Sequence, residues 1–374
     1  MDKSIYNIKN LSGAFMVTDK LPKAVIYKNG ILSFLDQTQL PLKVVYEEQK
    51  TAEQIYDSIK RLKVRGAPAI GIAGAYGLIV SVKKYIHEPV DIFLTELKSI
   101  GEYLVSSRPT AVNLSWAVNR IINKAKFAGF STSEELWHIL EQEAENIYNE
   151  DKEICKNIGR YGAELIENGS GILTHCNAGA LAVSELGTAL APIYTALDMG
   201  KTFKVYADET RPLLQGARLT SYELQASGAD VTLICDNMAA YAMSRGLINM
   251  VIVGCDRVAA NGDTANKIGT MNVAILANYF KIPFYVACPS STFDNMTLTG
   301  SDIVIEQRNP EEVTHFAGVQ TAPDNVKVLN PAFDVTPNEL ITGFITEYGI
   351  IIPPYIINLE NILHKGWKQN LMFK

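Results

Sequence analysis

The side chains best suited to chemistry in this sequence fall in a few short motifs. In GILTHCNAGALA, Cys176 stands where a β-prone run gives way to Asn-Ala-Gly and then to a helical pattern. Small residues there let backbone N–H groups approach an anion, and a thiol at a helix start is acidified. A buried, inert cysteine fits the same residues, so both readings stay open. In VIVGCDRVAANGDTANKIGT, Asp256 follows an apolar run that ends a strand, and Asn261–Gly262 makes a tight turn. Asp263 and Thr264 are placed to cap a helix that begins near Asn266, which puts Lys267 in its first turn. A cation there opposes the helix dipole, a small penalty that a phosphate would relieve. A solvated lysine is the plainer alternative.

Two arginines stand in unusual contexts. Arg65 precedes Gly66 and Ala67 in KVRGAPAIGIAGAYG, at the turn into an apolar helix, a place that suits an oxyanion contact. Arg108, in SSRPTAVNLSW, lies at a Pro-bounded helix start. Taken singly, each reads equally as a surface or salt-bridge residue. The spacing of Gly71, Gly74 and Gly77 echoes a nucleotide fingerprint, but it lies outside any strand–turn–helix unit. A small-residue packing face is the better reading. His175 is the sequence neighbour of Cys176. Consecutive strand residues face opposite sides, which argues against a direct Cys–His dyad. There is no GxSxG, and His87, His138, His315 and His364 have no triad context. In ADETRPLLQGARLTSYEL, the carboxylates of Asp208 and Glu209 are expected to pair with Arg211 and Arg218 of the same segment in preference to a metal. The five cysteines, at 155, 176, 235, 255 and 288, include no CxxC, so neither a disulfide framework nor a zinc site is indicated.

The elements that must position these groups divide the chain in two. Its 374 residues, 47% hydrophobic and 20% charged, suit about two globular domains. A net charge of −6 argues against nucleic acid or an anionic membrane as partner, so an anionic substrate would need a local basic pocket. No run approaches the ~18 apolar residues of a membrane span, and MDKSIYNIKNLSGAFMVTDKLP lacks a secretory pattern, so the cytoplasm is expected. Residues 1–150 read as a small antiparallel sheet with a helical bundle. Asn29–Gly30 signals a hairpin, LPLKVVYEEQ adds a strand, Thr51 and STSEE open helices, and Ala67–Val82 is a buried helix. Residues 151–374 read as a Rossmann-like parallel-sheet domain, α/β in class. Strands are expected at Gly171–Thr174, Phe203–Tyr206, Asp230–Ile234, Met250–Val253 and Phe284–Ala287. Helices are expected at Ala180–Asp198, Leu214–Ser227, Ala239–Arg245 and Asn266–Phe280. Each strand ends in polar or thiol residues, and open α/β sheets bind ligands at those ends.

Together, FLDQTQLP, RGAPAIG, SRPTAVNL, THCNAG, GTALAP, ADETRPLLQGARLT, CDNMAAYAM, GCDRVAANGDTANKIGT and PFYVACPSSTFD resemble the methylthioribose-1-phosphate isomerase family. That family shares its fold with the α, β and δ regulatory subunits of translation factor eIF-2B. The likeness runs from about Phe34 to Asp294 and continues more weakly into TPNELITGFITEYGI, leaving the first and last ~20 residues unassigned. It implies that Asp256 and Cys176 are the catalytic pair, and that Arg65, Gly66, Ala67, Arg108, Gln215, Asn266 and Lys267 hold a sugar phosphate. Gln215 is singled out by the resemblance alone. It further implies conversion of 5-methylthioribose 1-phosphate to the ketose 1-phosphate in methionine salvage, with no metal or other cofactor, by a homodimer built through the Rossmann-like half. Asp256 would donate a proton to the ring oxygen, while Cys176 shuttles a proton or stabilises the transition state; a C2-to-C1 hydride shift is the alternative. Competing readings are an isomerase of 5-deoxyribose 1-phosphate or ribose 1,5-bisphosphate, and a non-catalytic regulatory subunit.

Overall fold

The computed structural model describes residues 17–109 and 111–358. Residues 1–16 of the segment read as lacking a leader, Thr110 of the SRPTAVNL motif, and His364 lie outside them. The first half opens with a three-stranded antiparallel sheet, β1 (Val25–Lys28), β2 (Ile31–Leu35) and β3 (Tyr46–Gln49). Asn29 and Gly30, both at positive φ (53° and 78°), close the first hairpin as their sequence requires. Helices α1 (Ala52–Lys60), α2 (Ala67–Val82), α3 (Val90–Ser106), α4 (Val112–Phe127) and α5 (Ser133–Ala163) follow. Thr51 caps α1 in a capping box with Gln54, and Thr132 caps α5 by accepting the Glu135 N–H. Helix α2 is buried on nearly every side. A Cβ on Gly74 would fall 2.4 Å from Leu114 and one on Gly77 2.8 Å from Ile55, so the glycine spacing serves close packing against α4 and α1. Helix α5 runs unbroken through residue 150 and packs on both halves.

The second half is built on β4 (Gly171–Thr174), α6 (Ala191–Asp198), β5 (Lys204–Asp208), α7 (Ser221–Ser227), β6 (Asp230–Ile234), α8 (Ala239–Ser244), β7 (Met250–Val253), β8 (Arg257–Ala259), β9 (Thr264–Lys267), α9 (Thr270–Phe280) and β10 (Phe284–Ala287). Then come β11 (Phe293–Asp294), β12 (His315–Phe316), β13 (Val319–Gln320), β14 (Phe333–Thr336), β15 (Gly343–Thr346) and β16 (Gly349–Ile351). The main sheet has the order β16-β15-β10-β7-β4-β5-β6, parallel except for the last hairpin pair. The chain walks outward from β4 through β5 to β6, then restarts at β7 on the other side of β4. That reversal makes the β4/β7 boundary a topological switch point, the place where open α/β sheets bind their ligands. The apolar runs predicted as strands all pair in this sheet, four of them with the predicted bounds. The whole is mixed α/β, with a small antiparallel sheet and a parallel-rich one.

Two segments differ from their sequence pattern. Asn261–Gly262 joins two strands of a hairpin, β8 and β9, and does not lead into a helix. Strand β14 then pairs along all of β9 (Lys267 opposite Phe333, Thr264 opposite Thr336), so Asn266 and Lys267 lie on a strand and α9 starts three residues later. Asp263 therefore does not cap α9; its carboxylate accepts the backbone N–H groups of Gly300 and Asn338, the first residues of two 3₁₀ turns. The long helix expected over Ala180–Asp198 is likewise broken. A single 3₁₀ turn at Ala180–Ala182 is followed by loop residues, with Leu186 and Gly187 at positive φ, before α6 begins. Gly187 lies so close to Gly179 that a Cβ would fall 2.4 Å from its Cα, which fixes the loop and stops the helix.

Candidate active site

Cys176 and Asp256 follow the ends of β4 and β7, neighbouring parallel strands on either side of the switch point. Gly254 lets those ends meet: its absent Cβ would lie 2.6 Å from Cβ of Ala178, in the loop after Cys176. Cys176 itself is left-handed (φ 62°), a conformation costly for a side chain with a Cβ. Two threonines hold it there. The Cys176 N–H donates to Thr210 Oγ1 at 2.8 Å, and Thr220 Oγ1 donates to the Cys176 carbonyl at 2.5 Å. Strain that the surroundings over-determine in this way is a mark of functional positions.

The cations predicted for the site surround this pair electrostatically. Burial pushes the Cys176 thiol up, while Lys267 and Arg65 pull it down. Desolvation of its carboxyl also pushes Asp256 up from the ordinary aspartate value, against the pull of Lys267, Arg65 and Arg108, although the residue as a whole is exposed. The thiol therefore stays protonated near neutral pH, and the carboxyl holds its proton to higher pH than an ordinary aspartate. Arg65 donates to the carbonyl of Asn177 at 3.2 Å and to its side-chain oxygen. Its Nε is buried without a partner among the described residues, as is Oε1 of Gln215, so one donor and one acceptor remain for a ligand. Gly66 (φ 89°) caps α2 against the 3₁₀ turn that follows Cys176: a Cβ would fall 2.4 Å from the Ala182 carbonyl oxygen. Ala67, exposed, is the first residue of α2. Arg108 lies half-buried between α3 and α4. On β9, Asn266 donates to Thr270 Oγ1 at 2.9 Å, while Lys267 Nζ donates to the Ala332 carbonyl at 3.1 Å and sits 4.6 Å from the Phe333 ring centre.

The ADETRPLL segment departs from expectation. Asp208 does not pair with a nearby arginine but with His175, whose Nδ1 lies 3.0 Å from its Oδ2. Arg211 and Arg218 donate to backbone carbonyls instead, those of Pro212 and Val313 and of Gln37 and Thr38. The reason is topological: Asp208 ends β5 beside β4, so its nearest cation comes from the neighbouring strand. Both ring nitrogens of His175 are thereby engaged by groups other than the neighbouring thiol, so no Cys–His dyad forms. His175, Asp208 and Asp236 are the one group of potential metal ligands among the described residues, with ligand atoms within 4.8 Å of one another. Hydrogen bonds already engage both ring nitrogens, and both Asp236 oxygens take the amides of Thr210 and Arg211.

Sequence reasoning missed Glu223. This fully buried carboxyl on α7 receives the Asn177 side-chain amide, the Ala180 N–H at 2.6 Å and the Tyr194 hydroxyl at 3.0 Å. Burial raises it from 4.5 to about 7. Through Asn177 it braces Arg65, and it requires Gly179, where a Cβ would lie 2.3 Å from its oxygens. A signal was available: Leu219, Thr220, Glu223, Leu224 and Ser227 share one helical face, and all are buried. A carboxylate at apolar-face spacing needs a partner.

The model of the initiation factor 2 subunit family (IF-2B) matches residues 63–353. A Clostridium botulinum protein named 5-deoxyribose 1-phosphate isomerase is 56% identical over 334 residues, covering 89% of this chain and 96% of that one. Among solved structures, a Pyrococcus horikoshii 5-methylthioribose 1-phosphate isomerase is similar with a TM-score of 0.89 at 42% identity, covering 93% of this chain and 98% of that one. An A. fulgidus chain described as translation initiation factor eIF-2B, subunit delta, has a TM-score of 0.86 at 45% identity, covering 91% and 99%.

Proposed function

The chain belongs to the initiation factor 2 subunit family, and from that premise we propose that it is an aldose–ketose isomerase of a ribose 1-phosphate with no phosphate at C5. The observation that carries this reading is the juxtaposition at the switch point. A protonated thiol and a carboxyl whose proton affinity is raised follow the ends of adjacent strands, and Arg65 and Lys267 act on both. We put 5-deoxyribose 1-phosphate first, since the more similar relatives bear that activity in their name. The Pyrococcus neighbour favours 5-methylthioribose 1-phosphate as second reading, and with it a place in methionine salvage.

The chemistry demands such a site. The C1 phosphate ester blocks spontaneous opening of the sugar ring. Asp256 protonates the ring oxygen as the C1–O4 bond breaks, with Arg65, Arg108 and Lys267 holding the phosphate. Hydrogen then moves from C2 to C1 while the C2 hydroxyl loses its proton, leaving the ketose 1-phosphate with no net change in atoms. Either Cys176 carries that hydrogen as a proton, or it moves directly as hydride in the cationic crevice.

The test is turnover of both sugars by the wild type, Cys176→Ser and Asp256→Asn. Activity on either sugar that both variants lose supports the reading, and the preferred sugar decides between its two forms. A folded wild type that turns over neither would instead favour a non-catalytic subunit. Deuterium from D₂O entering C1 of the product would sink the hydride route.

A further inference from the structure

Among the buried titratable pairs that the mechanism leaves unused, His175 and Asp208 have the most specific geometry. His175 is buried, and each ring nitrogen faces an oxygen: Nδ1 lies 3.0 Å from Asp208 Oδ2, and Nε2 lies 2.9 Å from the Ile268 carbonyl. A peptide carbonyl can only accept, so Nε2 carries a proton. Burial pushes the Asp208 carboxyl up while the His175 contact pulls it down; as a carboxylate it can only accept, and its second oxygen is buried with no partner among the described residues. A neutral ring would leave a lone pair on Nδ1 facing a carboxylate, two acceptors in contact. Two further carboxylates lie near the ring and favour its charged form, Asp236 beyond β6 and Asp334 on β14. Asp334 also caps α9, accepting the N–H groups of Gly269 and Met271. Gly269, at φ 103°, has no Cβ; one would lie 2.9 Å from the imidazole.

We propose that His175 is a permanently protonated imidazolium that clamps β4 to β5 and to the turn between β9 and α9, and so serves as a positioning residue for Cys176 and Lys267. The two contacts join three elements, β4, β5 and the β9–α9 turn, and the first and last of these lead to site residues. Cys176 follows His175 directly, and Lys267 precedes the Ile268 carbonyl that the ring holds. Losing the clamp frees the β9–α9 turn to shift against the end of β4, separating the phosphate-binding lysine from the thiol. The pair is neutral overall, so it tolerates burial, and it acts without touching substrate. The role assigned to these two neighbours rests on the isomerase reading; the charge state of the ring does not.

The test uses full-length protein with ¹⁵N-labelled histidine. One of the five histidines should show two protonated ring nitrogens at about pH 8, well above the ordinary histidine value near ~6.5, and this signal should vanish in His175→Gln. That variant should lose about 100-fold in kcat, the scale of a misplacement of ~1 Å, with KM for the sugar phosphate changed far less. Asp208→Asn leaves the ring without its counter-charge. It should acquire an alkaline loss of kcat/KM, as His175 deprotonates, that the wild type lacks. A neutral ring in the wild type, or a zinc titration that replaces the Nδ1 proton at stoichiometric metal, overturns the clamp. Wild-type kcat in His175→Gln overturns its positioning role. Should the wild type turn over neither sugar, the nitrogen spectra still decide the clamp, so its failure is separable from that of the isomerase reading. A His175→Gln chain that does not fold leaves the decision to Asp208→Asn and the wild-type spectrum.

Discussion

Replacing Glu223 by glutamine should change stability by an amount that depends on pH. The carboxyl is raised by burial from 4.5 to about 7, and Arg65 pulls only weakly the other way. A carboxyl whose folded pKa exceeds its unfolded one binds its proton more tightly in the fold. Its stabilising contribution is whole below about pH 4.5 and is lost as pH rises towards about 7. The shift corresponds to about 3 kcal/mol at ~1.36 kcal/mol per unit. Glutamine cannot titrate, so the advantage of wild type over Glu223→Gln should shrink by about 3 kcal/mol across that window. The starting gap is set by hydrogen bonding. Three donors converge on the two carboxyl oxygens, and an amide NH₂ must face at least one of them, at a cost of about 1–3 kcal/mol. The variant should therefore be the less stable protein near pH 4.5 and equal or exceed the wild type near pH 8. Urea unfolding of both proteins at the two pH values measures the difference directly. A gap that stays constant within about 0.5 kcal/mol would mean that Glu223 keeps an ordinary pKa, and the linkage argument would fail.

Two more perturbations probe the site itself. Gly66→Ala forces a Cβ into a sparsely populated backbone conformation that favours glycine (φ 89°, ψ 133°), costing about 1–3 kcal/mol, and onto the Ala182 backbone. It should lower thermal stability and, by moving the turn that carries Arg65, reduce kcat/KM about 100-fold; wild-type values in both would show that the turn relaxes freely. Asp256→Asn should lower kcat by about 100- to 10,000-fold. In the wild type, kcat/KM should fall as pH rises through the elevated pKa of Asp256, and the kcat limb should lie at higher pH.

Much of this arrangement was legible in the chain because it rests on local rules. The Asn29–Gly30 hairpin, the Thr51 cap, the buried α2 helix and the strand runs all follow from turn chemistry and periodicity, and each is where those rules put it. What escaped was decided by pairing across long separations. TANK has no strong strand signature, and it is a strand because Phe333–Thr336 arrives some sixty-odd residues later to pair with it. Asp208 was matched to its sequence neighbours, whereas parallel pairing puts the end of β4, and so His175, closer. Neither partner can be read from a window around the residue. Glu223 failed differently, since its position on the apolar face was visible while its partner, Asn177, lay on another element.

The cations that pull the Asp256 carboxyl down are the same ones assigned to the phosphate, and this gives the site a means of arming itself. In the free protein, burial raises the carboxyl and Lys267, Arg65 and Arg108 oppose it. A phosphate monoester carries close to two negative charges near pH 7. Seated against those three side chains, it cancels the field that favours the carboxylate; unit charges ~4 Å apart interact by about 4 kcal/mol at an effective dielectric of ~20. Asp256 therefore holds its proton more tightly once substrate is bound, as does Cys176, which feels Lys267 and Arg65 in the same way. The acid is most fully protonated at the moment the ring oxygen needs a proton. The pH dependence of kcat/KM reports the free protein and that of kcat the complex, so the alkaline limb must move upward between them. Coincident limbs would place the phosphate away from these cations, and the substrate would have to bind in another orientation.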